Sequence, residues 1–260
     1  MERLSEHRNT SGLSGNALRM WGLAMMAAGV AGRSIIQNRI FGLGTITGQE
    51  LLAIMEQDPA AMYLAAIALV LQAVEACAVC IFAFLLTEGF RHTGSLKAYA
   101  TRVAVLAVIS EIPYNIAVCG KWLDLRTRNP VFGILIAMAM LWYFRKYEGF
   151  KPLNVIYKVV AFIGAMLWSL ALGVESGVCL MPIVASLWAF RNKSQFRSFA
   201  GAAAAVLCSL ISPFYMVTPM VFMLIHFYNG EKGESNKAFH YLVYPVCLIA
   251  FAVIGAVVLK

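Results

Sequence analysis

Several ionisable residues of this chain lie inside apolar stretches, where a side chain removed from water can do acid–base chemistry. One of them is Glu111, in the middle of a long apolar run. Pro113 follows it and removes a backbone donor from that run. Glu111 and Asn115 are four residues apart and therefore share one helix face. Glu111 is a candidate general base. The alternative is a neutral, hydrogen-bonded carboxyl group that braces two helices.

His92 is a second candidate base. It lies at the end of another apolar run, next to Arg91 and four residues after Glu88. An imidazole titrates near neutral pH and can accept a proton from an acceptor group; the alternative is a polar anchor. Arg91, Lys97 and Arg102 would bind the phosphates of a cytoplasmic cofactor, unless they only provide the positive charge common in cytoplasmic loops.

Other polar patterns carry a weaker signal. Glu75 lies three residues after Gln72 in an apolar run, and we interpret the pair as a polar contact between helices. Cys77 and Cys80 form a CxxC pair, but no second pair or flanking histidine completes a metal site. We therefore predict no metal site. HExxH, GxSxG and Walker motifs are absent from the sequence.

The elements that position these residues follow from the composition. The chain has 260 residues, of which 61% are hydrophobic and 13% charged, against about 25% charged residues in a typical soluble domain. A water-soluble fold of this size has too little interior to shield so many apolar residues from water. The continuous apolar runs predict an all-α, polytopic membrane protein, with the lipid bilayer as partner. The net charge of +8 is explained by loop topology, and we expect no nucleic-acid binding.

About nine apolar runs are interpreted as transmembrane helices, although several are shorter than the roughly 20 residues that span a bilayer. We place them at residues 18–36, 60–89, 103–119, 130–144, a hairpin 159–190, a hairpin 199–228 and 238–259. The hairpins are interrupted at 173–177 and near 212–213, where Pro213 breaks the helix. Residues 50–56 predict a short interfacial helix. The chain is then a cytoplasmic tail, residues 1–17, followed by one transmembrane domain, residues 18–260.

The distribution of cations predicts the orientation. With nine spans and a cytoplasmic N-terminus, most of the 21 Lys and Arg residues fall on cytoplasmic segments. The segment 120–129 fits least well, since Lys121, Arg126 and Arg128 lie outside. A miscounted hairpin would invert every later segment.

Five short motifs resemble the signature of the TraX family, in the same order and with similar spacing. They are FAFLLTEGFRHT at 82–93, KAYATR at 97–102, SEIPYN at 110–115, YNGEKG at 228–233 and the pair Tyr244-Pro245. The resemblance extends from about residue 18 to 255. It implies an acyltransferase-like helical bundle in a bacterial plasma membrane.

The founding activity of that family is acetylation of the N-terminus of a conjugative pilin. The resemblance therefore implies acetyl-CoA as donor and a pilin-like amine or another envelope group as acceptor. His92 or Glu111 would be the base, and Arg91, Lys97 and Arg102 would contact the phosphates. Residues of the same motifs would contact the acceptor, namely Glu88, Ser110, Tyr114 and Asn115.

The sequence departs from the family pattern at several polar positions. An Asp-His pair is replaced by Gly29 and Val30, and a Gly-Arg pair by Glu75 and Ala76. Further differences are Cys80 for Pro, Leu172-Gly173-Val174 for Asp-Tyr-Gly and Cys247 for His. Three hypotheses follow: an active acetyltransferase, an inactive relative that acts as a membrane partner or scaffold, and a transporter. An enzyme would bring Glu111, His92 and the basic segment 91–102 together at one cavity.

Overall fold

A computed structural model describes residues 12–42, 48–124, 126–233 and 237–257. Within this part of the chain every regular element is helical and none is a β-strand, which confirms the predicted all-α class. Most of the predicted tail, residues 1–11, lies outside the described residues, and the division into a tail and one membrane domain stays a prediction. Helix α1 already begins at Gly15, because the Ser14 hydroxyl accepts a hydrogen bond from the Ala17 N–H at 3.2 Å.

The first predicted run forms two helical segments. Helix α1 spans Gly15–Ala31 and continues as a π-helical segment, Gly32–Ile40. A π-helix is rare, and it frequently occurs where a protein positions functional side chains. Here it includes Arg33.

The next two helices agree with the predicted interfacial helix and the long second run. Helix α2 spans Gly48–Gln57 and α3 spans Pro59–His92. Asp58 caps α3 by accepting from the Ala60 N–H at 2.9 Å, and Pro59 takes the first position, where a missing N–H costs nothing. At 1.5 Å per residue, α3 is about 50 Å long.

Helix α4 starts earlier than the apolar run that predicts it. It spans Leu96–Tyr114 and continues as a second π-helical segment, Asn115–Cys119. The Ser95 hydroxyl caps it at 3.3 Å. The charged residues of its first two turns lower the local hydropathy, which explains why the predicted run begins only at 103.

The remaining helices correspond to the later predicted runs. They are α5 Pro130–Lys146, α6 Pro152–Ala171, α7 Gly177–Ala189, α8 Ser194–Cys208, a 3₁₀ segment Pro213–Val217, α9 Pro219–His226 and α10 Lys237–Val257. The breaks predicted at 173–177 and 212–213 are both present.

Three of the described helices are long and apolar enough to cross a membrane. They are Pro59–His92, Leu96–Cys119 and Pro152–Ala171. Shorter apolar helices lie at Gly177–Ala189, Pro213–His226 and Tyr241–Ile254. The helices are therefore compatible with a membrane protein, whereas the number of nine spans stays a prediction.

Helix α1 packs antiparallel along α3, and this pairing defines the two ends of the bundle. Gly22 contacts Ile81, and Gly32 contacts Leu71 ten residues earlier on α3. We call the end with Glu88 and His92 the cationic end and the other the opposite end. Arg91 donates to the Arg191 carbonyl at 3.0 Å. The cationic segments that follow α3 and α7 therefore meet at the cationic end. Which end faces the cytoplasm stays a prediction.

Candidate functional site

A buried carboxylate organises the cationic end. The side chain of Glu88 is 12% exposed and lies in the last turn but one of α3. Arg197, in the first turn of α8, donates from Nη1 to Glu88 Oε1 at 2.5 Å. The guanidinium of Arg197 also lies 4.7 Å from the centre of the Phe84 ring, a cation–π contact. Arg197 therefore fixes one oxygen of Glu88 and leaves the other available.

His92 contacts that second oxygen. Its Nε2 lies 3.6 Å from Glu88 Oε2, and its side chain is 67% exposed. The spacing of four residues on α3 places both side chains on one helix face. The exposed imidazole of His92 therefore lies next to the largely buried carboxylate of Glu88. At 3.6 Å the imidazole lies beside the carboxylate but beyond hydrogen-bond distance.

Tyr228, in the segment after α9, lies next to the same group of residues. Its ring packs edge-on against Phe84, with the centroids 5.2 Å apart. A β-bridge between Leu13 and Tyr228 holds that segment against the start of α1. Burial raises the pKa of the Tyr228 phenol, and the negative charge of Glu88 raises it further, while Arg197 lowers it. The motif at 228–233 is visible in the sequence, but its position beside Phe84 and near Glu88 depends on the fold.

The three predicted phosphate ligands are exposed at the same end. Arg91 donates to the Arg191 carbonyl, and Lys97 and Arg102 lie on the first two turns of α4. Among the described residues, no hydrogen bond or ion pair joins Arg91, Lys97 and Arg102 to one another. They form a cationic surface rather than a closed phosphate site.

Glu111 lies at the other end of α4. About 22 Å of helix separate it from Leu96, since α4 rises 1.5 Å per residue. Arg128 donates from Nη1 to Glu111 Oε1 at 3.0 Å, and the Asn129 side-chain amide donates to Oε2 at 2.8 Å. Asn129 also caps α5, accepting from the Val131 N–H at 3.0 Å. Glu111 thus anchors the start of α5 and does not meet His92.

The other predicted acceptor ligands divide between the two ends. Ser110, Tyr114 and Asn115 are buried on α4 and the π-helical turn after it, close to Glu111 in the chain. Their side-chain oxygen and nitrogen atoms form no hydrogen bond with the described residues. Glu88 lies at the cationic end. The nine predicted site residues therefore form two groups, not one site.

Sequence reasoning missed an ionic cluster at the opposite end. Arg33 lies on the first π-helical segment, and its guanidinium forms ion pairs with Glu75 of α3 and Glu175 of the loop between α6 and α7. The predicted polar contact of Glu75 and Gln72 with another helix is present. Glu75 pairs with Arg33, and Gln72 donates to Gln37 of the same π-helical segment at 3.2 Å. The available signal was an Arg and a Glu in neighbouring apolar runs.

One family accounts for most of the sequence. The family model described as TraX protein matches residues 51–255. The chain belongs to the TraX family. Neither the curated proteins nor the solved structures that were compared contain a match. The match includes both groups of predicted site residues in this TraX chain, whereas α1 and Arg33 precede it.

Gly29 of α1 and Glu75 of α3, two positions at which the sequence is expected to differ from the TraX pattern, face each other. A Cβ atom at Gly29 would collide with the side chain of Glu75. The absence of a side chain on α1 therefore creates the space that the Glu75 carboxylate occupies. The acidic side chain at this contact, Glu75, is therefore supplied by α3 and not by α1.

Proposed function

We propose that this TraX-family protein transfers an acetyl group from acetyl-CoA to a membrane-associated amine, with His92 as general base. The supporting observation is the pair of His92 and Glu88, in which Arg197 holds the carboxylate and the imidazole is exposed. An acceptor such as a pilin-like N-terminal amine would approach from the exposed side of the ring. Glu88 then acts as a positioning residue rather than an acceptor ligand.

The chemistry of this pair follows from the two ring nitrogens. A neutral imidazole carries one proton, and in this proposal Nε2, which faces Glu88, holds it so that Nδ1 can accept another. A peptide α-amine has an ordinary pKa of about 7.7–8.0, and an imidazole can take up its proton near neutral pH. The neutral amine nitrogen attacks the thioester carbon and forms the amide bond. The carbon–sulfur bond breaks, and the CoA thiolate takes up the second proton of the amine.

The exposed cations would bind the donor. Arg91, Lys97 and Arg102 lie at the same end as His92, and ammonium and guanidinium groups suit the phosphates of acetyl-CoA. In this proposal the cationic end faces the cytoplasm of a bacterial plasma membrane. Glu111 takes no part in the reaction, because α4 holds it at the opposite end.

The test is transfer of labelled acetyl from acetyl-CoA to a peptide amine by the purified protein in detergent. We expect His92→Gln to abolish transfer while acetyl-CoA binding, measured by calorimetry, persists. His226→Gln is the matched control, since His226 is an exposed histidine two residues before Tyr228.

Two outcomes would contradict this proposal. Equal transfer by His92→Gln and wild type would exclude His92 as the base. Wild-type protein that is folded but does not bind acetyl-CoA would instead support the inactive membrane partner.

A further inference from the structure

A cavity at the opposite end of the bundle contains the Arg33 ionic cluster. Its volume is about 350 Å³, which is in the range of small-molecule sites. Five parts of the chain line it: the first π-helical segment, α3, the loop before α7, the start of α7 and the segment 211–215. About 25 Å of α3 lie between Glu75 and His92 at 1.5 Å per residue. The cavity is therefore separate from the site of the proposed acetyl transfer.

One cation and two carboxyl groups line this cavity. Arg33 pairs with both Glu75 and Glu175. Because Arg33 divides its guanidinium between both carboxylates, neither has a cation of its own. A charge that is partly removed from water is costly without a counter-charge. The cavity therefore favours a ligand that carries one positive charge.

Three buried polar atoms in the cavity wall form no hydrogen bond of normal geometry with the described residues, namely the Tyr215 hydroxyl oxygen, Arg33 Nε and Glu175 Oε2. The Tyr215 side chain is 3% exposed, and Ser176 and Cys179 lie beside its hydroxyl group. The Arg33 side chain is 8% exposed. The Tyr215 hydroxyl can accept a hydrogen bond from an ammonium group, and an aromatic ring attracts a cation.

The rest of the wall suits an organic cation. Ala76, Val178 and Ile211 contribute apolar surface. Among the residues that the structure describes, no group of three or more His, Cys, Asp or Glu is arranged for a metal ion. An alkyl group attached to an ammonium would satisfy both the apolar and the charged parts of the wall.

We propose that this cavity binds a small organic ammonium ion, with Glu175 and Tyr215 facing the ammonium and Arg33 holding the carboxylates in place. The site does not depend on acetyl transfer. Its ligand would bind whether or not His92 is catalytic.

The test compares three ligands of similar size that differ in charge: butylammonium, butanol and butyrate. Binding to the full-length protein in detergent is measured by saturation-transfer NMR and by competition with labelled butylamine. We expect butylammonium to bind and butanol and butyrate to bind at least about tenfold more weakly, as for loss of a charged hydrogen bond. Butanol binding as well as butylammonium would overturn the proposal, because the cavity would then be merely apolar.

Variants test the named residues. Glu175→Gln removes one of the two carboxyl groups, and we expect butylammonium to bind about tenfold more weakly. Glu231→Gln, an exposed carboxyl at the other end, should bind it as wild type does. Tyr215→Phe should weaken butylammonium binding less than Glu175→Gln does. It tests the cavity even if the Glu175→Gln protein does not fold. Unchanged affinity in both cavity variants, or no binding by wild type, would refute the site.

Discussion

Arg128 and Glu175 are joined through their backbones while their side chains serve two different ion-pair groups. The Glu175 N–H donates to the Arg128 carbonyl at 3.1 Å. The Arg128 side chain pairs with Glu111, and that of Glu175 pairs with Arg33. The segment before α5 and the loop before α7 therefore hold each other in place. This contact links the Glu111 group to the Arg33 cavity and leaves both remote from His92.

Glu111 and Arg102 should show opposite phenotypes. Glu111→Gln weakens hydrogen bonds from Arg128 and Asn129 to a buried carboxylate, and we expect a loss of about 1.5–3 kcal/mol of unfolding free energy. Acetyl-CoA binding should be unchanged. Arg102→Ala should weaken that binding about tenfold, through loss of a charged contact to phosphate, without lowering stability. Thermal unfolding measures the stability of each variant, and calorimetry on the same samples measures its acetyl-CoA binding. Loss of acetyl-CoA binding in a stable Glu111→Gln protein would contradict the separation of the two ends.

Arg197 should matter for stability more than an exposed cation does. Arg197→Ala would leave Glu88 buried without its partner, and we expect a loss of about 3 kcal/mol or more. Arg102→Ala is the exposed control. The double variant with Glu88→Ala should recover part of the loss, because no unpaired charge remains. Additive losses in the unfolding free energies would show that the two side chains do not interact.

Tyr228 should contribute to a loss of stability in alkali. Its pKa is raised in the folded protein, so the folded state keeps a proton that the unfolded state releases above about pH 10. The unfolding free energy therefore falls as the pH rises from about 10 through the folded pKa, whereas below pH 10 this group has no effect. Tyr228→Phe should flatten the decline, and Tyr63→Phe, at an exposed tyrosine, should not. The test is to measure the midpoint of unfolding of wild type and both variants across this pH range.

Two glycines should respond oppositely to the same substitution. A Cβ at Gly29 would collide with Glu75, so Gly29→Ala should cost about 1–3 kcal/mol by overpacking. A Cβ at Gly164, within α6, would contact nothing within 4 Å. Gly164→Ala should therefore add about 0.5–1 kcal/mol through helix propensity. Thermal unfolding in detergent compares them, and a stable Gly29→Ala protein would mean that the Glu75 side chain moves away readily.

The sequence predicts the helices from their apolar runs, and a capping residue or a proline marks where several of them begin, as Asp58 and Pro59 do for α3. The starts of α7 and α8 have neither a side-chain cap nor a proline. The sequence does not predict that Arg33 meets Glu75, since that contact depends on the packing of α1 against α3. The separation of His92 from Glu111 follows from the length of α4, because His92 ends α3 and Glu111 lies near the far end of α4. The ion pair of Glu175 is not predicted either, because this residue lies in a turn between two apolar runs, where a carboxylate is usually solvated.

The π-helical segment Gly32–Ile40 determines which neighbours its side chains face. A π-helical turn contains one residue more than an α-helical turn. In an α-helix of the same residues, each residue would therefore be turned further about the axis than it is here. Ser34 and Asn38, which donate to the Phe251 and Val118 carbonyls, would then not both face their acceptors. The winding of a single helix, rather than a loop, thus determines how this segment is joined to α10 and to the end of α4.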